Sequence, residues 1–186
     1  KWGLGHLNIL FNELFKIAHS TTIDMISQFI LDNLEHQDET KRTIAYIMLK
    51  RLCQYECSQH YPKFLEAAER CMTKDDKSMV VHGLSICKIL VAAKYAPAYA
   101  KATDFSLHHA KSDDKKISKQ ALKILKALVR VDYDKIYDSA LAIALENLHH
   151  KNEHIQVIAR DILTALISNN HTPTLRAAGT WATQNT

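Results

Sequence analysis

The chain has 186 residues, enough for one domain that buries roughly 70% of its unfolded surface. Only 4 Gly and 3 Pro occur and 24% of residues are charged, which favours an ordered, all-helical protein over a disordered or all-β one. The net charge of +4 is too small to require nucleic acid or an anionic membrane as a partner. No apolar run approaches the roughly 20 residues of a membrane span.

The cysteines and the first residues bear on the compartment in which we expect the protein. Cys53, Cys57, Cys71 and Cys87 lack the regular spacing of a disulfide framework or a zinc finger, so we expect reduced thiols in an intracellular, cytoplasmic protein. The opening Lys1-Trp2-Gly3 does not form a signal peptide and begins inside an amphipathic pattern without an initiator Met. We expect an excised piece of a longer protein, and a monomer.

Residues of one kind recur every 38 positions. An Asx column (Asp38, Asp76, Asp114, Asn152) comes first, then a small-residue column (Ala45, Gly83, Ala121, Ala159), then two apolar columns (Met48, Ile86, Ile124, Ile162 and Leu52, Leu90, Leu128, Leu166). An Asx cap followed by one apolar stripe around a small residue is typical of a capped amphipathic helix. A helix of this kind is therefore predicted at four places along the chain.

The predicted elements follow this period along the chain. Residues 6–18, with Leu7, Leu10, Phe11 and Leu14, form the second helix of an interrupted first unit. Full helical hairpins follow at 21–53, 60–92, 97–130 and 135–168, with Pro62 and Pro97 at helix starts. In the first of them Ile23, Ile26, Phe29, Ile30 and Leu34 make one apolar face. Residues 173–186 begin a truncated unit or fray, and residues 1–186 make a single domain.

Each hairpin has apolar surface on both sides that it cannot bury alone, so neighbouring hairpins must stack. The predicted fold is therefore all-α, a right-handed α-solenoid of antiparallel helix pairs with about four repeats of 38 residues.

One predicted second helix shows the pattern most clearly: an Asp at the turn is followed by apolar, small and apolar positions. These are Asp114, Ile117, Ala121, Ile124, Leu125 and Leu128. This run resembles the second helix of the HEAT repeat, in the HEAT and armadillo class. Only two helices fit in 38 residues, which favours HEAT, and tetratricopeptide units of about 34 or ankyrin units of about 33 do not fit. The resemblance covers roughly residues 6–181. Arg42 fits the basic residue that HEAT units usually carry after the turn, whereas Val80, Ser118 and Gln156 depart from it.

The resemblance implies a non-catalytic scaffold or protein-binding module whose second helices line a concave face. Lys50, Lys88 and Lys126 share one column there, so we expect a lysine row with neighbours about 8 to 10 Å apart. Arg51, Lys119, Lys123 and Arg130 lie nearby in register. Such a row could receive an acidic peptide or, as the alternative, a nucleic-acid backbone. It could also be a solvated face without a partner.

An adjacent column, Tyr46, Leu84 and Leu122, predicts an apolar strip for a partner helix or ordinary packing between repeats. The turns before the second helices form one edge, and their Asx residues should cap those helices. By resemblance to tubulin-binding HEAT arrays, the lysines beside these turns could also contact a partner.

Enzyme and metal chemistry find little support in the sequence. His150-Lys151-Asn152-Glu153-His154 matches H-x-x-E-H, which binds zinc when both histidines share one continuous helix. Asn152 stands in the Asx column, so the motif should straddle a turn instead. Cys53, Cys57 and His60 could form another site, but packing is the simpler interpretation. We predict no enzyme, cofactor or metal site.

The repeat predicts that the small-residue column is buried at helix contacts. Ala121→Phe should overpack such a contact and lower the free energy of unfolding by roughly 1 to 3 kcal/mol, measured by urea denaturation. Unchanged stability would place Ala121 on the surface.

Overall fold

The computed structural model describes residues 20–55 and 58–184, and this part of the chain is all-helical. Its α-helices are α1 Ser20–Leu34, α2 Glu39–Leu52, α3 Tyr61–Met72, α4 Lys77–Ala92, α5 Ala98–His109, α6 Lys115–Arg130, α7 Tyr137–Asn147, α8 Glu153–Ser168 and α9 Thr172–Gln184. Short 3-10 turns occupy Cys53–Tyr55, Ser58–His60 and Asp134–Ile136. The predicted helix at 6–18 and Cys57 lie outside the described residues.

The chain divides into two compact units between Tyr95 and Ala96. In the N-terminal unit α1 pairs with α2 and α3 with α4, while α2 also packs against α4. In the C-terminal unit α5 pairs with α6 and α7 with α8, α6 packs against α8, and α9 contacts α8. The prediction of an all-helical protein is confirmed for the described residues. The solenoid arrangement, the repeat count and the single domain stay predictions.

The second helix of each hairpin begins at an Asx cap, as the sequence predicts. The side chains of Asp38, Asp76, Asp114 and Asn152 accept hydrogen bonds from the N–H groups of Thr40, Ser78, Lys116 and His154 at 2.7–3.0 Å. These bonds satisfy backbone donors that have no partner within the helix. The Asx prediction is confirmed at all four positions.

A side chain one turn into the helix bonds back to the turn. Arg42 donates to the carbonyls of His36 and Gln37, both at 2.8 Å. Ser118 donates to the carbonyl of Ala110 at 2.9 Å, and Gln156 donates to that of His150 at 2.7 Å. Ser118 and Gln156 therefore do what Arg42 does, although their residue types depart from the HEAT pattern. At these three positions a neutral donor serves the turn carbonyl as well as a charged one does, while Val80 on α4 has no donor to offer.

The second helices α4, α6 and α8 end alike. Lys94, Asp132 and Asn170 have φ of 58°, 61° and 57°, in the left-handed region. The residue after each one returns a hydrogen bond across the last turn, from Tyr95 to Leu90, Tyr133 to Leu128 and His171 to Leu166 at 3.0–3.1 Å. This is the Schellman motif, which supplies donors to terminal carbonyls.

The ring that follows each Schellman motif packs edge-on against a tyrosine at or near the start of the same hairpin. The pairs Tyr61–Tyr95, Tyr99–Tyr133 and Tyr137–His171 have centroid separations of 5.3–5.4 Å. Each pair recurs 38 residues after the last. Edge-to-face aromatic pairs add about 0.5–1.5 kcal/mol beyond their buried area, so they hold the open end of the hairpin together.

The small-residue column lies in the core. Ala45, Gly83, Ala121 and Ala159 are all buried. A Cβ on Gly83 would lie 2.7 Å from the carbonyl oxygen of Ala68 and 3.0 Å from Cβ of Cys71. The two helices of the hairpin α3–α4 are therefore too close for any side chain at this point.

Phe29 departs from the predicted apolar face of α1. On α1 the buried stripe runs through Ser27, Ile30 and Leu34, while Phe29 is 46% exposed, so Phe29 does not belong to the predicted apolar face. Phe29 and Ile30 are about 100° apart around the helix, and only one of them can face the core.

Among the described helices, none has the length and apolar character to cross a membrane.

The close approach at Gly83 predicts the effect of one methyl group. Gly83→Ala should lower the free energy of unfolding by up to about 2 kcal/mol, because the overpacking cost of about 1–3 kcal/mol is offset by a helix-propensity gain of about 1 kcal/mol. Urea denaturation measures this change. A more stable variant would show that α3 and α4 are further apart than the structure places them.

Candidate functional site

The second helices α2 and α4 of the N-terminal unit face each other along a polar stripe. Arg42, Tyr46 and Lys50 follow one another at four-residue intervals on α2, so they lie on one side of that helix. The residues of α4 that face them are Ser78, His82, Ser85 and Lys88. We name these seven residues the α2–α4 face.

Arg42 occupies the end of the face nearest the turn. Its side chain is buried, and its second guanidinium nitrogen donates to the hydroxyl of Ser78 at 3.2 Å. The same side chain also binds the carbonyls of His36 and Gln37 in the turn before α2. Arg42 therefore holds α2, this turn and α4 together. We regard it as structural.

Tyr46 and His82 form the middle of the face. Their rings lie 5.9 Å apart at an interplanar angle of 53°. Burial lowers the pKa of His82 to about 4, and the cation of Arg42 adds to this effect. Nε2 of His82 is buried without a hydrogen-bond partner among the described residues. The imidazole is therefore neutral at pH 7 and serves as a ring against Tyr46.

Lys50 and Lys88 form the far end of the face. Lys50 is exposed, whereas Lys88 is half-buried. Burial lowers the pKa of Lys88, and the nearby cation of Lys50 lowers it further. Neither ammonium has a carboxylate partner within the ranges that the structure describes. The α2–α4 face therefore ends in two like charges that nothing on the described surface neutralises.

The corresponding lysine of the C-terminal unit has an internal partner. Lys126 on α6 forms an ion pair with Asp161 on α8, and both side chains are partly buried. Asp161 follows Lys126 by 35 residues, and Ser85 stands 35 residues after Lys50. An aspartate thus neutralises Lys126, whereas a neutral hydroxyl occupies the same position relative to Lys50. The 38-residue period does not point to Asp161, which lies 35 residues after Lys126 and is found only at that second spacing.

The other basic residues of the predicted row are Lys119 and Lys123, which are half-buried on α6, and Arg130, which is exposed at its end. Arg51 on α2 donates to the side chain of Gln54 at 3.1 Å.

The apolar column behaves as a packing column at two of its three positions. Leu84 and Leu122 are fully buried, and Tyr46 is half-buried against His82. A partner cannot reach either leucine without separating the helices around it. The packing interpretation of Leu84 and Leu122 accounts for their position, and only Tyr46 offers surface.

Basic side chains beside two of the turns are held by carboxylates. Glu35 binds both Arg70 and Lys74, at 2.8 and 2.9 Å, and Glu146 binds Lys111 at 3.0 Å. These pairs link the end of one first helix to the corresponding segment of a neighbour in the same unit. Exposed pairs of this kind contribute about 0–1 kcal/mol each.

The H-x-x-E-H motif straddles a turn, as the sequence predicts. Asn152 is the cap of α8, so His150 precedes the helix while Glu153 and His154 lie in its first turn. Nδ1 of His150 accepts the N–H of Asn152 at 3.0 Å, which ties the ring to the turn. Within residues 20–55 and 58–184, no three His, Cys, Asp or Glu side chains lie together as metal ligands would.

The described cysteines are packing residues. Burial raises the pKa of Cys71 to about 11 and that of Cys87 to about 12, so both thiols are protonated at neutral pH. Cys53 is half-buried, and no described cysteine forms a disulfide.

Comparison with known proteins supports the fold alone. No protein-family model matches the sequence, and no curated protein matches it. The chain is similar to the crystal structure of an engineered protein from the Northeast Structural Genomics Consortium, with a TM-score of 0.56 and 12% sequence identity. The match covers 90% of this chain and 80% of that one.

The buried imidazole predicts a pH dependence of stability. The pKa of His82 is about 4 in the folded protein, whereas a histidine in the unfolded chain has a pKa of 6.5. The unfolded state therefore binds more protons between these values, and stability should fall as pH drops from about 6.5 to 4, by about 3 kcal/mol from this residue. His82→Phe should remove most of that loss while keeping a ring against Tyr46.

Urea denaturation at several pH values measures the effect, with His154→Gln as the control because His154 is exposed. An identical pH profile for wild type and His82→Phe would show that His82 is not buried in neutral form.

Proposed function

We propose that the chain is a HEAT-like α-solenoid of about four 38-residue repeats that acts as a non-catalytic protein-interaction module. Support comes from features that recur at this period in both units: the Asx caps, the Schellman ends and the edge-on aromatic pairs. Repeats of this kind present extended surfaces made of many similar helices, and such surfaces suit the binding of other proteins.

We propose the α2–α4 face as the binding surface. The observation that carries this assignment is the contrast between two lysine pairings. Lys126 is neutralised by Asp161, whereas Lys50 and Lys88 have no carboxylate partner among the described residues. Two neighbouring cations, one of them half-buried, raise the free energy of the free protein, and a bound carboxylate would relieve it.

The ligand that fits this surface is an acidic segment of a partner protein. One Asp or Glu would bridge Lys50 and Lys88, in the manner that Asp161 binds Lys126. The half-buried ring of Tyr46 adjoins Lys50 and adds an amphipathic contact beside the charges. Association would be fast and would weaken as salt is added, since exposed charges are screened within about 8 Å at physiological ionic strength.

A nucleic-acid backbone is the alternative ligand for the same two cations. The net charge of +4 and the scarcity of aromatic residues between the basic ones favour protein over nucleic acid.

The test is affinity capture from a nuclease-treated lysate with three proteins: wild type, Lys50→Glu/Lys88→Glu, and Lys63→Glu/Lys94→Glu. The last is a charge-matched control, because Lys63 and Lys94 are exposed lysines of the same unit outside the α2–α4 face. We expect a protein retained by wild type and control and lost, at least tenfold, from the first variant. Circular dichroism checks that all three are folded.

Equal capture by all three proteins would show that the α2–α4 face is a solvated surface. Capture that occurs in a parallel untreated lysate and is lost in the nuclease-treated one, together with binding of a 20-nucleotide single strand that declines steeply with salt, would favour the nucleic-acid alternative.

A further inference from the structure

Two parallel helices bring Lys50 and Lys88 to neighbouring positions. The contacts that α2 makes with α4 follow each other in the same direction along both helices, so the helices are parallel. The ring of Tyr46 faces α4, and its hydroxyl forms a hydrogen bond with Ser85. Lys50 follows Tyr46 by about one turn on α2, and Lys88 follows Ser85 by about one turn on α4. The two amino groups therefore extend side by side.

The place of a carboxylate beside Lys50 is taken by a hydroxyl. Ser85 stands there, and its side chain donates to the carbonyl of Val81 at 2.8 Å. In the C-terminal unit the corresponding position holds Asp161, which pairs with Lys126. The α2–α4 face thus has the cation of such a pair and lacks the anion.

The surroundings of Lys88 favour its neutral amine. The side chain is half-buried, and the adjoining residues Cys87 and Ile89 are buried. Burial lowers the pKa of Lys88, and the cation of Lys50 lowers it further. A neutral primary amine is a nucleophile, whereas an ammonium has no lone pair to donate.

We propose that Lys88 is a carbamate-forming site, at which dissolved carbon dioxide supplies the missing carboxylate. The lone pair of the Lys88 nitrogen attacks the carbon of carbon dioxide and forms a C–N bond. One C=O π pair moves onto its oxygen, and the nitrogen releases a proton to water. The product is a carbamate anion, and the step needs no oxidant, reductant or leaving group.

Lys50 is the residue that holds the product. A carboxylate at the end of Lys88 lies beside the ammonium of Lys50, so two like charges become an ion pair of the kind that Lys126 forms with Asp161. Carbon dioxide is small and uncharged, so it can approach a half-buried amine. Lys126 is not an equivalent target, because Asp161 already occupies the place beside it and would repel a second carboxylate.

The modification regulates the α2–α4 face, and this part of the inference rests on the proposed function. A carbamate on Lys88 removes one cation and neutralises the other, Lys50, from within the chain. An acidic segment of a partner would then find no free cation at this end of the face. Its binding should therefore weaken as bicarbonate is added at constant ionic strength.

The test traps the carbamate on the full chain. The protein is equilibrated with ¹³C-labelled bicarbonate at mildly alkaline pH and treated with triethyloxonium, which ethylates a carbamate and makes it stable for peptide mass spectrometry. We expect a labelled ethyl carbamate on Lys88, at least fivefold more abundant than on Lys63 or Lys94. These two are exposed lysines of the same unit.

Variants separate the target from the residue that holds the product. Lys88→Arg should abolish the label, whereas Lys126→Arg, the matched control, should leave the label on Lys88 unchanged. Lys50→Met should lower the yield on Lys88 at least threefold, because the neighbouring cation is lost, and Lys50→Arg should restore it. Circular dichroism verifies that each variant is folded.

Three outcomes would overturn the carbamate. The first is trapping of glycinamide, added as the positive control, without any label on Lys88. The second is equal labelling of Lys88, Lys63 and Lys94, and the third is an equal yield in wild type and Lys50→Met. Because trapping uses no partner protein, its result is separate from the capture experiment. A carbamate on a chain that captures nothing would support the modification and count against the binding role.

Discussion

The hairpins depend on a close contact between their two helices at one small side chain. At Gly83 the backbone of α3 is near enough that even a methyl group would meet the carbonyl of Ala68. Protein interiors are packed to crystal-like density, so a contact at this distance leaves neighbouring side chains little freedom to shift. Ala45, Ala121 and Ala159 are buried at the same register.

The two ends of each hairpin are held by local bonds that do not involve its outer surface. An Asx side chain begins every second helix; in α2, α6 and α8 a donor one turn later binds the preceding turn, and α4, α6 and α8 end in a left-handed residue. Because these bonds lie within or beside the backbone, the outer faces of the second helices are free to differ. On the α2–α4 face, Lys50 and Lys88 have no carboxylate partner among the described residues, whereas Lys126 on α6 is neutralised by Asp161.

The force available at the α2–α4 face is electrostatic attraction. Attraction between charges acts over several ångströms, sets the rate of encounter and fades with salt, which suits the α2–α4 face to an acidic segment.

The sequence by itself determined the helices, their caps and the buried small-residue column, because these depend on neighbours within one or two turns and repeat every 38 residues. Only the tertiary structure decided the state of the side chains between helices. Lys50 and Lys126 share a column, yet one is exposed without a carboxylate and the other is paired, since the difference lies 35 residues away in Ser85 and Asp161. Likewise Leu84 and Leu122 could have lined a surface, but the neighbouring helices enclose them completely. Periodicity specifies which side of a helix a residue occupies; the packed neighbour decides whether that side meets water.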